Sequence, residues 1–200
     1  MEYNILITGV GGQGIVFVAK ILGQAAFESG YKVRVGEIHG MSQRGGSVIS
    51  YVRFGDSVYA SMVPRGKGDV MIGLERLETL RYAEYMDENG CILLNNEKEL
   101  PDTAEFEGYE YPGDEKIEKH TKKFADPIRF DAGDLAAEAG DKKVTNVVMV
   151  GALQALESFP IEEEVVKEAI RKQVPPDVLE TNLEGFELGK EEIDDKKVIL

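Results

Sequence analysis

The feature that most constrains the fold of this chain is a glycine-rich turn between an apolar stretch and a helical pattern. Residues 3–8 form an apolar run that predicts a buried strand, and residues 15–28 have the spacing of a helix. Between them lies Gly9-Val10-Gly11-Gly12-Gln13-Gly14. Such a turn directs backbone N–H groups and the positive end of the helix dipole outward. Because glycines allow a close approach, the turn suits a phosphate or the backbone of a partner.

A second glycine-flanked motif follows the next predicted strand, which covers residues 31–36. It reads His39-Gly40-Met41-Ser42-Gln43-Arg44-Gly45-Gly46. The motif combines a histidine, two neutral hydrogen-bonding side chains and an arginine, whose planar fork can hold a carboxylate or phosphate through two hydrogen bonds. Ligands of α/β sheets bind at the carboxyl ends of the strands. We therefore expect both motifs to lie on one face of the domain.

Predicted strands and helices alternate through the first half of the chain. This pattern predicts an α/β fold: a three-layer, Rossmann-like domain with a mixed, mostly parallel sheet and helices on both faces. Residues 46–54 are rich in β-branched side chains, and the turn signal Gly55-Asp56 predicts a hairpin with residues 57–61. The length of 200 residues fits a single domain spanning residues 1–200.

The C-terminal part is predicted to be largely helical. Residues 145–157 are apolar almost all round, which indicates a helix buried in the core or against another subunit. A last helix is predicted over residues 177–188, with Gly189 as its cap.

Composition narrows the classes of partner. The chain has 37 acidic and 23 basic residues, a net charge of −14, which repels nucleic acid and anionic lipid. No apolar run approaches the ~20 residues of a membrane span, and the first residues do not resemble a signal peptide. We therefore expect a cytoplasmic protein with no nucleic-acid or membrane partner. The one cysteine, Cys91, cannot alone hold an iron–sulfur cluster or a structural zinc, and no metal site is expected.

The glycine turn also has the spacing of a dinucleotide-binding fingerprint, Gly9-x-Gly11-x-x-Gly14. In that fingerprint an acidic residue ~20 positions further along the chain binds a ribose hydroxyl. Glu37 stands near that position. However, a polar loop follows the second strand in place of a helix, and Glu37 is equally well a strand-end residue. The pattern alone leaves open an independent NAD(P)-binding Rossmann protein, a module that binds CoA or another nucleotide, and a protein contact.

The two motifs resemble the γ-type domain of 2-oxoacid:ferredoxin oxidoreductases. The His-Gly-Met-Ser-Gln-Arg-Gly-Gly form is most similar to the small (beta) subunits of indolepyruvate:ferredoxin oxidoreductases within that family. The other matching positions are Val16, Ala19, Leu22, Gly73, Leu74, Glu75, Leu80, Arg81, Asn146, Gly151, Ala152, Leu153, Asn182, Phe186 and Gly189. The resemblance covers most of the chain and is loosest over residues 95–143.

This resemblance implies oxidative decarboxylation of a 2-oxoacid, such as indolepyruvate or another aryl pyruvate, to an acyl-CoA, with electrons passed to ferredoxin. It implies that thiamine diphosphate, Mg²⁺ and [4Fe–4S] clusters lie on a larger alpha subunit. The chain is then a small subunit that is not active alone and holds no cofactor of its own. Its expected partners are the alpha subunit, ferredoxin through the complex, the 2-oxoacid, and CoA as co-substrate.

The candidate residues for cofactor binding or partner docking come from the two glycine-rich loops. They are Gly9, Gly11, Gly12, Gln13, Gly14, Ser42, Gln43, Arg44, Gly45 and Gly46. Arg44 is the leading candidate, because it can clamp a CoA diphosphate, a substrate carboxylate or a partner's acidic side chain. Arg44 and His39 are also the candidate catalytic residues, although both can instead brace the loop internally. Glu75, at a strand end, is interpreted as a helix-start acid.

Overall fold

The computed structural model describes residues 1–40, 45–99, 111–125 and 127–197, which form six strands and seven α-helices. In chain order these are β1 (Glu2–Val10), α1 (Ile15–Glu28), β2 (Lys32–His39), β3 (Ser47–Gly55), β4 (Gly68–Gly73), α2 (Arg76–Tyr82), β5 (Met86–Asn95), α3 (Asp114–Thr121), β6 (Pro127–Phe130), α4 (Ala132–Glu138), α5 (Thr145–Gln154), α6 (Glu163–Gln173) and α7 (Leu179–Lys197). Short 3₁₀ turns follow α2 and precede α5 and α7.

The strands form one sheet in the order β2-β3-β1-β4-β5-β6. β1, β4, β5 and β6 pair in parallel, whereas β3 runs antiparallel to both of its neighbours, β1 and β2. The sheet is therefore mixed and mostly parallel, as the sequence predicts. The β1–α1 turn and the ends of β4, β5 and β6 all lie at its carboxyl edge.

The predicted hairpin between residues 46–54 and 57–61 is wrong. β3 pairs on one side with β1 and on the other with β2, so it has no edge left for the following segment. That segment stays irregular because Arg53, buried in the sheet, donates from Nη1 to the carbonyl oxygens of Ala60 (2.9 Å) and Met62 (2.8 Å). β2 and β3 instead pair as an antiparallel hairpin, and the second glycine-rich motif lies between them in the sequence.

Helices cover both faces of the sheet, which confirms the predicted three layers. Successive side chains of a strand point to opposite faces, so Ile5 and Ile7 of β1 lie in one core and Leu6 lies in the other. The larger core packs against α1 and α4–α7, and the smaller one against α2 and α3. Burying one such aliphatic side chain contributes about 1.5–3 kcal/mol, so the central strands anchor both layers.

The apolar helix α5 belongs to the hydrophobic core of this chain, and its residues from Val147 to Leu153 are all buried. It crosses α7 so closely that a Cβ on Gly151 would overlap the carbonyl oxygen of Phe186. A Cβ on Gly189 would likewise overlap the carbonyl oxygen of Val148. The prediction that Gly189 caps the last helix is therefore wrong: α7 continues to Lys197, and this glycine is a point of helix–helix contact.

Candidate functional site

The glycine turn owes its shape to two residues in the left-handed region. Gly12 has φ 112° and Gly14 has φ 82°, conformations that other residues rarely adopt. Gly14 is the N-cap of α1, and a Cβ on it would overlap the side-chain amide of Asn146. Asn146 of α5 therefore packs against one side of the turn. At Gly12, by contrast, an added Cβ would contact none of the described atoms.

The Gln13 side chain holds the turn closed. Its Oε1 accepts a hydrogen bond from the Val10 backbone N–H (2.8 Å), and its Nε2 donates to Glu99 Oε2 (3.0 Å). Its backbone carbonyl accepts from Asn146 Nδ2 (3.4 Å). A Cβ on Gly9 would overlap Gln13 Oε1, which explains the first glycine of the motif. Both ends of this amide are engaged within the chain, so Gln13 acts first as a brace of the turn.

The two glycine-rich loops are joined by a backbone hydrogen bond. The Gly11 N–H donates to the Gly46 carbonyl oxygen at 2.9 Å, and the Gly40 N–H donates to the Ser47 carbonyl oxygen at 2.7 Å. Gly45 adopts a left-handed φ of 66°. The structure therefore brings the glycine turn against Gly45 and Gly46, the described end of the second motif. Ser42, Gln43 and Arg44 lie outside the described residues, and their roles stay predictions.

His39 lies at the end of β2 with its side chain about half exposed. Its Nε2 is 3.3 Å from Glu37 Oε1, so the acid of the dinucleotide hypothesis faces this imidazole. His39 also lines an open cleft of about 900 Å³ between the glycine turn and the base of the hairpin. The lining of this cleft includes the apolar side chains of Ile15, Val16, Phe17 and Val48, together with Lys20 and Gln173.

A second cleft, of about 360 Å³, lies over the carboxyl ends of the parallel strands on the other side of the glycine turn. Asn95 is buried at its base, where Nδ2 donates to the Leu74 carbonyl (3.3 Å) and Oδ1 accepts from the Ala132 N–H (3.1 Å). The rim carries both signs of charge; it includes Lys142, Lys143, Glu97, Asp131 and Asp134.

A protein-family model described as pyruvate ferredoxin/flavodoxin oxidoreductase matches residues 4–192. The chain belongs to this family. The indolepyruvate oxidoreductase subunit IorB of Pyrococcus horikoshii is 50% identical over 193 residues, which cover 94% of each chain. The subunit of the same name from Thermococcus kodakarensis is 49% identical, again over 94% of each chain. These relatives confirm the resemblance drawn from the two motifs.

The fold of this pyruvate ferredoxin/flavodoxin oxidoreductase family member is shared with a solved γ subunit. The keto/oxoacid ferredoxin oxidoreductase γ subunit of Geobacter sulfurreducens superposes with a TM-score of 0.72 at 24% sequence identity. The alignment covers 96% of this chain and 99% of that one. At this identity the likeness concerns the architecture, including the helical C-terminal part.

Glu75, one of the positions matched to the family, is the N-cap of α2, as its interpretation as a helix-start acid predicts. Its Oε2 accepts from the Glu78 N–H (2.9 Å), while Oε1 accepts from the Tyr111 hydroxyl (2.5 Å) and the Glu99 N–H (3.4 Å). The residue is only 1% exposed, and burial raises the pKa of its carboxyl above the ordinary value of 4.5 despite these donors. The sequence showed the cap but not the two distant partners.

The supporting residues that sequence reasoning missed are Asn95, Glu99 and the side-chain role of Asn146. Only Asn146 had a signal, since it belongs to a short stretch that resembles the family. The described residues contain no group of three histidine, cysteine or acidic side chains that could hold a metal ion. Burial raises the pKa of the Cys91 thiol to about 11. None of the helices described is both long and apolar enough to cross a membrane.

Proposed function

We propose that this chain is the small subunit of a 2-oxoacid:ferredoxin oxidoreductase that acts on indolepyruvate or another aryl pyruvate. The observation that carries the proposal is the identity of 50%, along 94% of both chains, with an indolepyruvate oxidoreductase subunit. This favours the subunit over an independent NAD(P)-binding protein or a nucleotide-binding module. The complex decarboxylates the 2-oxoacid oxidatively, forms an acyl-CoA and passes electrons to ferredoxin.

Such a complex needs iron–sulfur clusters, and the residues of this chain are not suited to bind them. A [4Fe–4S] cluster takes four thiolates, and the whole sequence has one cysteine, which lies partly buried in β5. We assign the clusters, thiamine diphosphate and Mg²⁺ to a larger alpha subunit. The small subunit contributes one cytoplasmic domain, residues 1–200, that is inactive until it joins this partner.

The two joined glycine loops form the docking face of this subunit. They comprise residues 9–14 and 40–46; at Gly12 an added Cβ would meet no described atom within 4 Å, so a partner can approach the backbone there. Arg44, which lies between β2 and β3 in the sequence, clamps a carboxylate or phosphate of the partner, of the 2-oxoacid or of CoA. Ser42 and Gln43 add neutral hydrogen bonds, and the His39 imidazole, about half exposed at the end of β2, adds a further polar contact.

Assembly tests the proposal directly. The chain is purified alone and after co-expression with its larger, cysteine-rich partner, and reduction of a viologen dye that depends on a 2-oxoacid is measured for both. We expect a brown, thiamine-binding complex that is active and a small subunit that is inactive. Turnover by the small subunit alone, or a rise in its melting temperature with a nicotinamide cofactor, overturns the proposal, because a ligand that binds only the native state must stabilise it.

The role of Arg44 is tested within the assembled complex. We expect Arg44→Ala to lower kcat/KM or subunit affinity by about tenfold or more, since charge-assisted hydrogen bonds contribute roughly 1.5–3 kcal/mol. Arg65→Ala is the matched control, because Arg65 is exposed and pairs with Glu84 near the opposite edge of the sheet. Equal effects of the two substitutions, or none, remove the assigned role of Arg44.

A further inference from the structure

β2 is an outermost strand of the sheet, and no other strand of the described residues pairs with its outer edge. The strand pairs with β3 through eight consecutive positions, from Lys32 opposite Gly55 to His39 opposite Val48, with no bulge. Six of its eight residues are exposed, unlike β1 and β3, which are buried along nearly their whole length. An open, regular edge of this length is a ready template for another strand.

Apolar side chains flank this edge on both faces of the sheet. Val35 points toward α1, where it contacts Gly23, and Phe27 projects from the same helix. On the opposite face lie Ile38 and Gly36, and a Cβ added at Gly36 would overlap Ser61 in the segment that carries Tyr59 and Met62. The exposed fractions of the five apolar side chains run from 45% to 83%. A single exposed apolar residue is ordinary, but a group around one open strand indicates a contact surface.

A second copy of this chain is a poor occupant of the edge. Antiparallel pairing of two β2 strands about a perpendicular twofold axis would set Val33 or Val35 opposite Glu37 of the other copy. Each chain also carries a net charge of −14, so two copies repel one another. The strand is thus not complementary to itself in its side-chain pairs, and the net charges of two copies repel.

The larger subunit is the better occupant, because the open edge is continuous with the docking face. β2 ends at His39, and the next residue, Gly40, donates to the carbonyl oxygen of Ser47, the neighbour of the Gly46 that accepts from Gly11 in the glycine turn. We infer that an extended segment of the larger subunit adds to β2 as a further strand, an inference that rests on the proposed function. Acidic side chains opposite Lys32 and Arg34, and a basic one opposite Glu37, would select that segment.

Hydrogen exchange and binding together test this inference in the assembled complex. Strand addition forms backbone hydrogen bonds, so we expect amides within Lys32–His39 to exchange at least about tenfold more slowly in the complex than in the free chain. Val35→Lys combined with Ile38→Lys should raise the Kd for the larger subunit at least about tenfold while the melting temperature of the free chain stays unchanged. Val178→Lys is the control, since Val178 is similarly exposed at 40% but precedes α7, and it should change the Kd less than twofold.

The outcomes separate this inference from the function on which it rests. If β2 amides exchange equally fast in both states while Arg44→Ala still weakens assembly, the strand addition is wrong and the proposed function stands. If the free chain sediments as a dimer that the double substitution dissociates, a second copy occupies the edge and the inference is overturned. If the native chain binds no larger subunit, both proposals fall.

Discussion

Glu75 joins three stretches of the chain at the carboxyl edge of the sheet. It caps α2, and it accepts hydrogen bonds from Glu99 and Tyr111, which lie on either side of residues 100–110. Through Glu99, which also bonds Gln13, the carboxylate is linked to the glycine turn. The spatial arrangement of the docking face therefore depends on a buried carboxyl group that touches neither loop directly.

The raised pKa of Glu75 makes a prediction about pH. Between the ordinary value of 4.5 and the raised native pKa, the folded chain binds more protons than the unfolded chain, so Glu75 lowers stability as pH rises through that window. The Glu75→Gln variant lacks this pH dependence. Its free energy of unfolding is lower by about 1–3 kcal/mol, because one hydrogen-bond acceptor of the side chain becomes a donor. Urea unfolding at several pH values should therefore show the gap between wild type and variant narrowing as pH rises from 4.5.

The exposed residue Glu88 provides the control for this experiment. Glu88→Gln should leave the unfolding free energy within about 0.5 kcal/mol of wild type, as is usual for surface substitutions. A constant or widening gap for Glu75→Gln would show that the buried carboxyl has no raised pKa.

At the residue scale, the sequence predicts the backbone role of the turn glycines well, but it does not predict the side-chain hydrogen bonds that hold the turn in place. Gly12 and Gly14 are predictable because a strand–turn–helix connection needs left-handed backbone at fixed positions. The hydrogen bonds of Gln13 to Glu99 and Asn146 are not predictable, because these partners are far apart in sequence and meet only after the sheet has formed. Local patterns encode turn geometry, whereas such distant pairs come from the tertiary fold.

Among the elements, the crossing of α5 and α7 gives the sharpest prediction. Gly189→Ala gains up to about 1 kcal/mol of helix propensity, but its methyl group would overlap the Val148 carbonyl oxygen, which is backbone and cannot rotate away. We expect a net loss of about 1–3 kcal/mol in unfolding free energy by chemical denaturation, as for other overpacked cores.

Gly133→Ala is the matched control, since Gly133 lies in α4 with open space around the position of a Cβ. It should be neutral or stabilising by up to about 1 kcal/mol. Equal stability changes at the two glycines would mean that the helices do not cross closely.

The two element predictions that failed share a physical cause. Gly55-Asp56 indicates a turn, and Gly189 indicates the end of a helix, when only neighbouring residues are considered. In the structure β3 is already paired on both sides, and α7 extends because α5 packs against it at Gly189. Glycine is ambiguous in sequence, because it serves equally for a break in an element and for close contact between elements.

For the whole molecule, the uneven burial of the sheet predicts a gradient of local stability. Nearly every residue of β1 is buried between the two cores, whereas β2 is mostly exposed and has one neighbour. In the free chain we expect β1 and β4 amides to exchange only through global unfolding and β2 amides to exchange much faster through local opening. Native-state hydrogen exchange measures this, and equal protection of β1 and β2 would contradict it.

The pairing of the antiparallel strand β3 with β1 fixes both the side chains of the core and the position of the docking face. Nine consecutive positions align it with β1, from Gly55 opposite Glu2 to Ser47 opposite Val10. One residue inserted within β3 would exchange the side chains of its two faces and move Gly46 away from Gly11. A single insertion in β3 would therefore cost the protein its folding and its assembly at once.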